Sequence, residues 1–432
     1  MSLLLLALET LLAPFAALAV FLSFLVSRRR GVLAGLTSEL PERLGGLDDA
    51  GRVRLMGREV WWLHAASAGE VGGLSPLIES LAGLPNPPAV LVTTTTVAGR
   101  DAARRHPRVD WAQLAPLDAW PCVSRFIALA RPARLILTET ELWPTLILLA
   151  ARAGLKPSLI NARMTPRSLP RYRAAAFLLR PALDALESVL AQSDDDAELF
   201  RVLGAASGRI FTTGNTKYDR APARHDDAAA TGALVKLSWT GDVLFVAGST
   251  HPVEEKDVLS AYLRAAVLVP RLRLVIAPRH VERAHETAAA MRASGRVVAL
   301  LSELDAAVAR DADILVLDAM GALPGFWPKA AVAFVGGTLV PVGGHNLLEP
   351  AFAGLPVIFG PYTGHIALPA AALERSGGGV RAADAKALGA ALEAFLTDPA
   401  RARAAGDKAR AAAEALRGAT RRTLAALESL RG

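Results

Sequence analysis

The chain has 432 residues, 52% hydrophobic and 21% charged, with 35 Gly and 27 Pro spread along it. This composition excludes a disordered chain, a collagen and a coiled coil, and at about 100–200 residues per domain the length predicts two domains, or three. The formal charge of +7 favours an anionic partner, while a single cysteine, Cys122, excludes an internal disulfide framework and a cysteine-cluster zinc site.

Taken in chain order, Leu3–Val26 is almost wholly apolar, interrupted by Glu9 and Pro14, and is followed by Arg28-Arg29-Arg30. A helix of that length, rising about 1.5 Å per residue, spans a hydrocarbon core of about 30 Å. A cleaved signal peptide carries its basic residues before the apolar run; here they come after it. Residues 1–30 are therefore expected to anchor the chain in a membrane, with everything after them on the cytoplasmic side. The other reading is a core helix of a soluble protein.

Short apolar runs then alternate with longer helical patterns. Strands are expected at Val60–Leu63, Ala89–Thr93, Leu135–Leu137, Ser158–Ile160 and Val189–Ala191. A second series is expected at Val243–Ala247, Leu272–Ala277, Val297–Leu300, Ile314–Leu317, Val332–Val335 and Val357–Phe359. Such alternation predicts an α/β architecture of parallel sheets covered by helices. The polar stretch Asp219–Thr240 reads as a linker. It divides the chain into two Rossmann-like lobes, 31–225 and 226–432, with a cleft between them. The Ala/Arg/Leu-rich tail from Pro399 to Leu430 reads as helix and goes with the second lobe.

Ligands of such sheets sit beyond the carboxyl ends of the strands, so the residues following each strand are the candidates. After the first comes His64-Ala-Ala-Ser-Ala-Gly-Glu70. Glu70, near the start of the next helix, is placed to take a proton from a substrate hydroxyl. The alternative is that it serves its own helix N-terminus. Further on stands Thr138-Glu139-Thr-Glu141-Leu-Trp-Pro144. Carboxylates two residues apart point to opposite sides if extended, so at most one enters the cleft; a solvated helix start is the other reading. Lys217, in Gly214-Asn-Thr-Lys217-Tyr-Asp219 after Ile210–Thr212, offers a mobile positive charge, or is a surface lysine.

In the second lobe Pro278-Arg279 follows a strand, and the planar guanidinium suits a phosphate. Met320-Gly321-Ala322 follows another strand. The densest group is Gly336-Gly337-Thr338 and then Gly343-Gly344-His345-Asn346-Leu347-Leu348-Glu349. A glycine-rich turn before a helix starting near Asn346 is a natural phosphate site, with Glu349 one turn in. His345 reads as structural, and no compact metal-ligand spacing is present. The basic residues are dispersed without interleaved aromatics, so no nucleic-acid partner is expected.

These residues carry a resemblance. WWLHAASAGEVGG, LVTTTTVAGR, LTETELWPTLI, LINARMTPRS, TGNTKYD, APRHVER, FVGGTLVPVGGHNLLEPA and GLPVIFGPYTGH occur in the order of the Kdo transferases of lipopolysaccharide synthesis, across most of the chain. Those enzymes move 3-deoxy-D-manno-octulosonic acid (Kdo) from CMP-Kdo to a lipid A precursor. The resemblance implies a GT-B glycosyltransferase, inverting and metal-independent, with no cofactor beyond the donor substrate. It implies Glu70 as general base, with Glu139 and Lys217 supporting the transition state. Pro278, Arg279, Met320, Gly321, Ala322, Asn346, Leu347, Leu348 and Glu349 would bind CMP. The partners implied are CMP-Kdo, the lipid A precursor and inner membrane lipids. Two departures stand out: Thr216 where an apolar residue is usual, and Ala322 where a polar one is common. The alternatives are a GT-B enzyme or epimerase acting on another nucleotide-sugar, and a two-lobed solute-binding protein.

Overall fold

Val60–Ala65 is buried at every position, as a strand covered on both faces must be. Alternation sends Trp61 and Trp62 to opposite faces of the sheet, where each is fully buried in a separate cluster. In the computed structural model, which describes residues 39–219, 227–304 and 311–429, this run is β1. It is followed by β2 (Ala89–Thr94), β3 (Trp111–Leu114), β4 (Arg134–Thr138), β5 (Lys156–Ala162), β6 (Ser188–Ala191) and β7 (Ile210–Thr212). They form one parallel sheet in the order β3-β2-β1-β4-β5-β6-β7. The winding direction reverses between β1 and β4, and that is the ligand-binding crevice of an open α/β sheet.

A second parallel sheet repeats the plan with β8 (Val243–Thr250), β9 (Leu272–Pro278), β10 (Val298–Leu300), β11 (Ile314–Val316), β12 (Val332–Val335), β13 (Val357–Phe359) and β14 (Gly379–Arg381). Its order is β10-β11-β9-β8-β12-β13-β14, so its reversal lies between β8 and β12. The described residues fall into two compact units, 39–219 with 417–429, and 227–416.

Three features differ from the sequence reading. Two of the four edge strands, β3 and β14, were not expected; both are short and incompletely buried, so the burial signal is weak there. Much of the expected linker is structured. Asp227–Lys236 is a helix, and Ala230, Ala233, Leu234, Leu237 and Trp239 belong to a hydrophobic core of the second unit. The tail also divides. Pro399–Ala415 stays with the second unit, whereas Ala419–Ser429 belongs to the first. Leu427, fully buried, draws it there, together with the Asp219 carboxylate, which accepts the N–H groups of Gly418 (2.6 Å) and Thr420 (2.5 Å). The expected anchor, 1–30, lies outside the described residues; among those described, no helix is long and apolar enough to cross a membrane.

Candidate active site

Small residues after β1 turn the chain into the helix Ala68–Ala82, capped by Ser67. Ser67 Oγ accepts the Glu70 N–H (3.4 Å), and Glu70 reaches back to accept the Ala66 N–H (2.9 Å) and the Ser67 hydroxyl (3.2 Å). This is close to a capping box, so Glu70 does serve its helix N-terminus. The same carboxylate accepts the Thr138 hydroxyl (2.9 Å) from the end of β4, across the point where the winding reverses. Burial raises its pKa above the ordinary carboxylate value, and Glu139 and Glu141 push the same way. The Ala66 N–H and Thr138 hydroxyl oppose the rise without cancelling it. Capping and basicity coexist because a carboxylate has about four lone-pair sites.

Glu139 follows β4 in the left-handed region, with φ 53°, uncommon for a residue with a side chain. The turn separates the two carboxylates. Glu139 accepts from Lys217 Nζ (2.5 Å). Glu141 accepts from Trp143 Nε1 (2.6 Å) and lies 3.4 Å from His64 Nε2. Burial works to raise the Glu141 pKa, but the His64 imidazole and the Trp143 indole outweigh it and hold the carboxyl below its ordinary value. Lys217 sits on the 3₁₀ turn Thr216–Asp219, and its stem crosses the Glu70 helix at Gly73. A Cβ there would lie 2.8 Å from Lys217 Cε and 2.9 Å from Cγ. Glu70, Thr138, Glu139 and Lys217 thus form one connected group in the first unit.

In the second unit Pro278 ends β9, and Arg279 is exposed just beyond it, its N–H held by the Thr250 carbonyl (2.9 Å). Met320 is 81% exposed, and Gly321 has φ 83° with open space around it. Asn346 is exposed; its Oδ1 accepts the Leu348 N–H (3.0 Å) and its Nδ2 donates to Glu349 (3.0 Å), whose other oxygen accepts from Trp327 Nε1 (3.3 Å). Leu347 and Leu348 turn into the core, so only their backbone is open to a ligand.

The glycine-rich turn departs from expectation. Its amides are already taken: Glu254, fully buried, accepts the N–H groups of Gly337 (2.7 Å), Thr338 (2.9 Å) and Leu339 (2.8 Å). Gly344 N–H goes to the Gly337 carbonyl (2.7 Å), and the following helix is short, Leu348–Phe352. His345 stacks on His251 with ring centroids 5.3 Å apart and Nε2 atoms 3.0 Å apart. Burial, then Arg279 and the neighbouring histidines, push the His345 pKa down to about 4, so its ring is neutral at pH 7. Among the described residues, no group of three or more His, Cys, Asp or Glu side chains is arranged to hold a metal ion.

Known proteins resemble this chain along most of its length. The family model for 3-deoxy-D-manno-octulosonic-acid transferase (kdotransferase) matches residues 38–220. The 3-deoxy-D-manno-octulosonic acid transferase of Bordetella pertussis is 36% identical over 391 residues, covering 86% of this chain and 87% of that one. The chain belongs to the Kdo transferase family. The Aquifex aeolicus member is 30% identical over 319 residues, covering 74% of this transferase and 80% of its relative. Among solved structures, UDP-GlcNAc 2-epimerase from Neisseria meningitidis bound to UDP-GlcNAc is similar at a TM-score of 0.54 and 13% identity, covering 86% of this chain and 100% of that one. That likeness shows the GT-B-like fold and nothing finer.

Several residues that hold this candidate site together escaped the sequence reading. Glu254 is the fourth residue of His251-Pro-Val-Glu254, the spacing Ser67-Ala-Gly-Glu70 also has, each after the first strand of its sheet. That repeated capping spacing was the available signal. Gly73, Thr138 and Asn161 gave none, because their partners lie far away in sequence.

Proposed function

We propose that this transferase moves Kdo from CMP-Kdo to a hydroxyl of a lipid A precursor, with Glu70 as general base. The observation that carries the reading is the Glu70–Thr138–Glu139–Lys217 group, at the winding reversal of a sheet in a member of this family. A hydroxyl's pKa lies far above a carboxylate's, so Glu70 takes the proton only as the acceptor oxygen bonds to the sugar. Its raised pKa improves it for that task. Meanwhile the bond from the sugar's anomeric carbon to the phosphate oxygen breaks, and its electrons leave with CMP. Lys217, held by Glu139, supplies positive charge as this happens.

CMP would be bound by Pro278, Arg279, the Met320–Ala322 turn and the segment Asn346–Glu349, with Arg279 on the phosphate. At Leu347 and Leu348 the contact is through the backbone, since both side chains are buried. We propose metal-independent transfer, with Lys217 and Arg279 supplying the charge. A lipid partner is supported by the stretch from Leu142 to Leu183, which contains no acidic residue. Within it Arg167, Arg171, Arg173 and Arg180 are exposed, and Phe177 is 69% exposed. Each basic residue near an anionic bilayer contributes about 1 kcal/mol. We propose that the enzyme works at the cytoplasmic face of the inner membrane, anchored through residues 1–30.

The test is donor choice by purified enzyme on a tetra-acylated lipid A precursor. CMP-Kdo should turn over, UDP-GlcNAc should not, and a chelator should leave the rate unchanged. Turnover of the UDP-sugar alone would make this a GT-B enzyme of another substrate class.

A further inference from the structure

Thr216, the residue before Lys217, is fully buried. A buried hydroxyl requires partners, and the identity of its partners shows what it ties together. It donates to the Gly73 carbonyl (2.6 Å), one turn beyond Glu70 on the same helix. It accepts from Asn161 Nδ2 (2.7 Å), while Asn161 Oδ1 accepts the Thr216 N–H (3.0 Å). The Asn161 amide therefore grips Thr216 by backbone and side chain at once.

Asn161 is itself 2% exposed and left-handed, with φ 49°, near the carboxyl end of β5. Its carbonyl accepts from Gln192 Nε2 (2.9 Å), Gln192 Oε1 accepts from Asn215 Nδ2 (3.0 Å), and Asn215 Oδ1 accepts the Lys217 N–H (2.9 Å). The hydrogen bonds thus run continuously from Gly73 through Thr216, Asn161, Gln192 and Asn215 to Lys217. A paired buried network of this kind specifies one geometry more sharply than apolar contact does.

We infer that Thr216 and Asn161 are positioning residues for Kdo transfer: they fix Lys217, and with it the Lys217–Glu139 pair, at a set place against the helix that carries Glu70. The inference rests on the roles proposed above for Glu70 and Lys217. It has a consequence beyond rate. Glu139 raises the Glu70 pKa, and Lys217 partly neutralises Glu139. If the turn loosens, Glu139 is less neutralised, the Glu70 pKa rises further, and the acid limb of the pH–rate profile moves to higher pH.

The family's motif usually has an apolar residue at 216, so the hydroxyl's share of the grip is particular to this chain, and the experiment compares Thr216→Val, which takes that hydroxyl from the Asn161 amide at nearly constant shape, with Thr216→Ser, Asn161→Gly and Lys217→Ala. Asn161→Gly tolerates the left-handed backbone while deleting the grip, so it answers the question if Thr216→Val does not fold. Thr216→Val and Asn161→Gly should lower kcat about tenfold or more, since small misplacements are costly. Their KM for CMP-Kdo should stay within about twofold, and their acid limbs should move up in pH. Thr216→Ser should restore kcat and the limb. A merely structural role would lower melting temperature and active fraction without moving the limb. The inference is overturned by wild-type kcat or an unmoved limb in Thr216→Val and Asn161→Gly, or by a Thr216→Ser as slow as Thr216→Val. If Lys217→Ala itself transfers at the wild-type rate, the role given to Lys217 fails instead, and the two failures are told apart.

Discussion

Replacing Gly73 by alanine separates activity from stability in this enzyme. Gly73 lies inside the helix Ala68–Ala82, where alanine by itself gains about 0.5–1 kcal/mol over glycine. The new Cβ, however, would sit 2.8 Å from Lys217 Cε and 2.9 Å from Cγ. Carbon atoms pack at about 3.5–4.0 Å, so the lysine stem must shift by roughly 1 Å. It can do so, because the Lys217 side chain is 39% exposed. The ion pair lost with Glu139 is worth about 0–1 kcal/mol at such exposure. Net stability should therefore change by less than about 1 kcal/mol in either direction. A charge displaced by about 1 Å from its place in the transition state costs on the order of 10²-fold in rate. Thermal melting and mass-spectrometric turnover of the lipid acceptor read the two effects. Gly73→Ala turning over within about threefold of wild type, while Lys217→Ala loses more than about tenfold, would refute the reasoning.

Further outcomes follow from the same geometry. Thr138→Val removes a hydrogen bond that lowers the Glu70 pKa, so the carboxyl, already raised, should rise further; the acid limb of kcat/KM should shift to higher pH, read from a pH–rate series. Folded stability carries the same sign: a raised carboxyl pKa favours the protonated folded state, so the Glu70 contribution is greatest at low pH and is lost as pH rises through its folded pKa. Glu254→Gln turns an amide N–H₂ toward backbone N–H groups that now donate to a carboxylate. It should cost about 1–3 kcal/mol of stability and raise KM for CMP-Kdo more than it lowers kcat, as melting and steady-state kinetics will show.

The fold was legible where burial is complete. β1 and β8 read as strands because central parallel strands are apolar on both faces. β3 and β14 did not, because these two edge strands are short and incompletely buried, whereas the edge strand β10 is buried throughout and did read. The helix Ala419–Ser429 was legible as a helix but not as part of the first unit. Its tie to Asp219, and that of Arg134 to the Leu427 carbonyl (2.8 Å), join residues far apart in the chain. The three proposed catalytic residues came from motifs following strands, and in the structure Glu139 and Lys217 pair while Glu70 bonds Thr138, the neighbour of Glu139. What holds them was hidden. The φ of Glu139, the room at Gly73 and the grip of Asn161 are long-range facts with no local pattern. Glu70 and Glu254 show the limit of a motif. Both cap the helix after the first strand of their sheet, but Glu254 is closed in by the loop after β12, whereas Glu70 accepts the Thr138 hydroxyl across the winding reversal.

The central claim is that Glu70 removes the acceptor proton during Kdo transfer. Glu70→Gln keeps the size of the side chain and removes its basicity. Purified wild type and this variant should be given CMP-Kdo and a tetra-acylated lipid A precursor, with the acceptor mass followed in time and CMP binding measured alongside. A Kdo-mass increment is expected with wild type and none with Glu70→Gln, while both bind CMP alike. An increment formed by folded Glu70→Gln at the wild-type rate would contradict this role for Glu70.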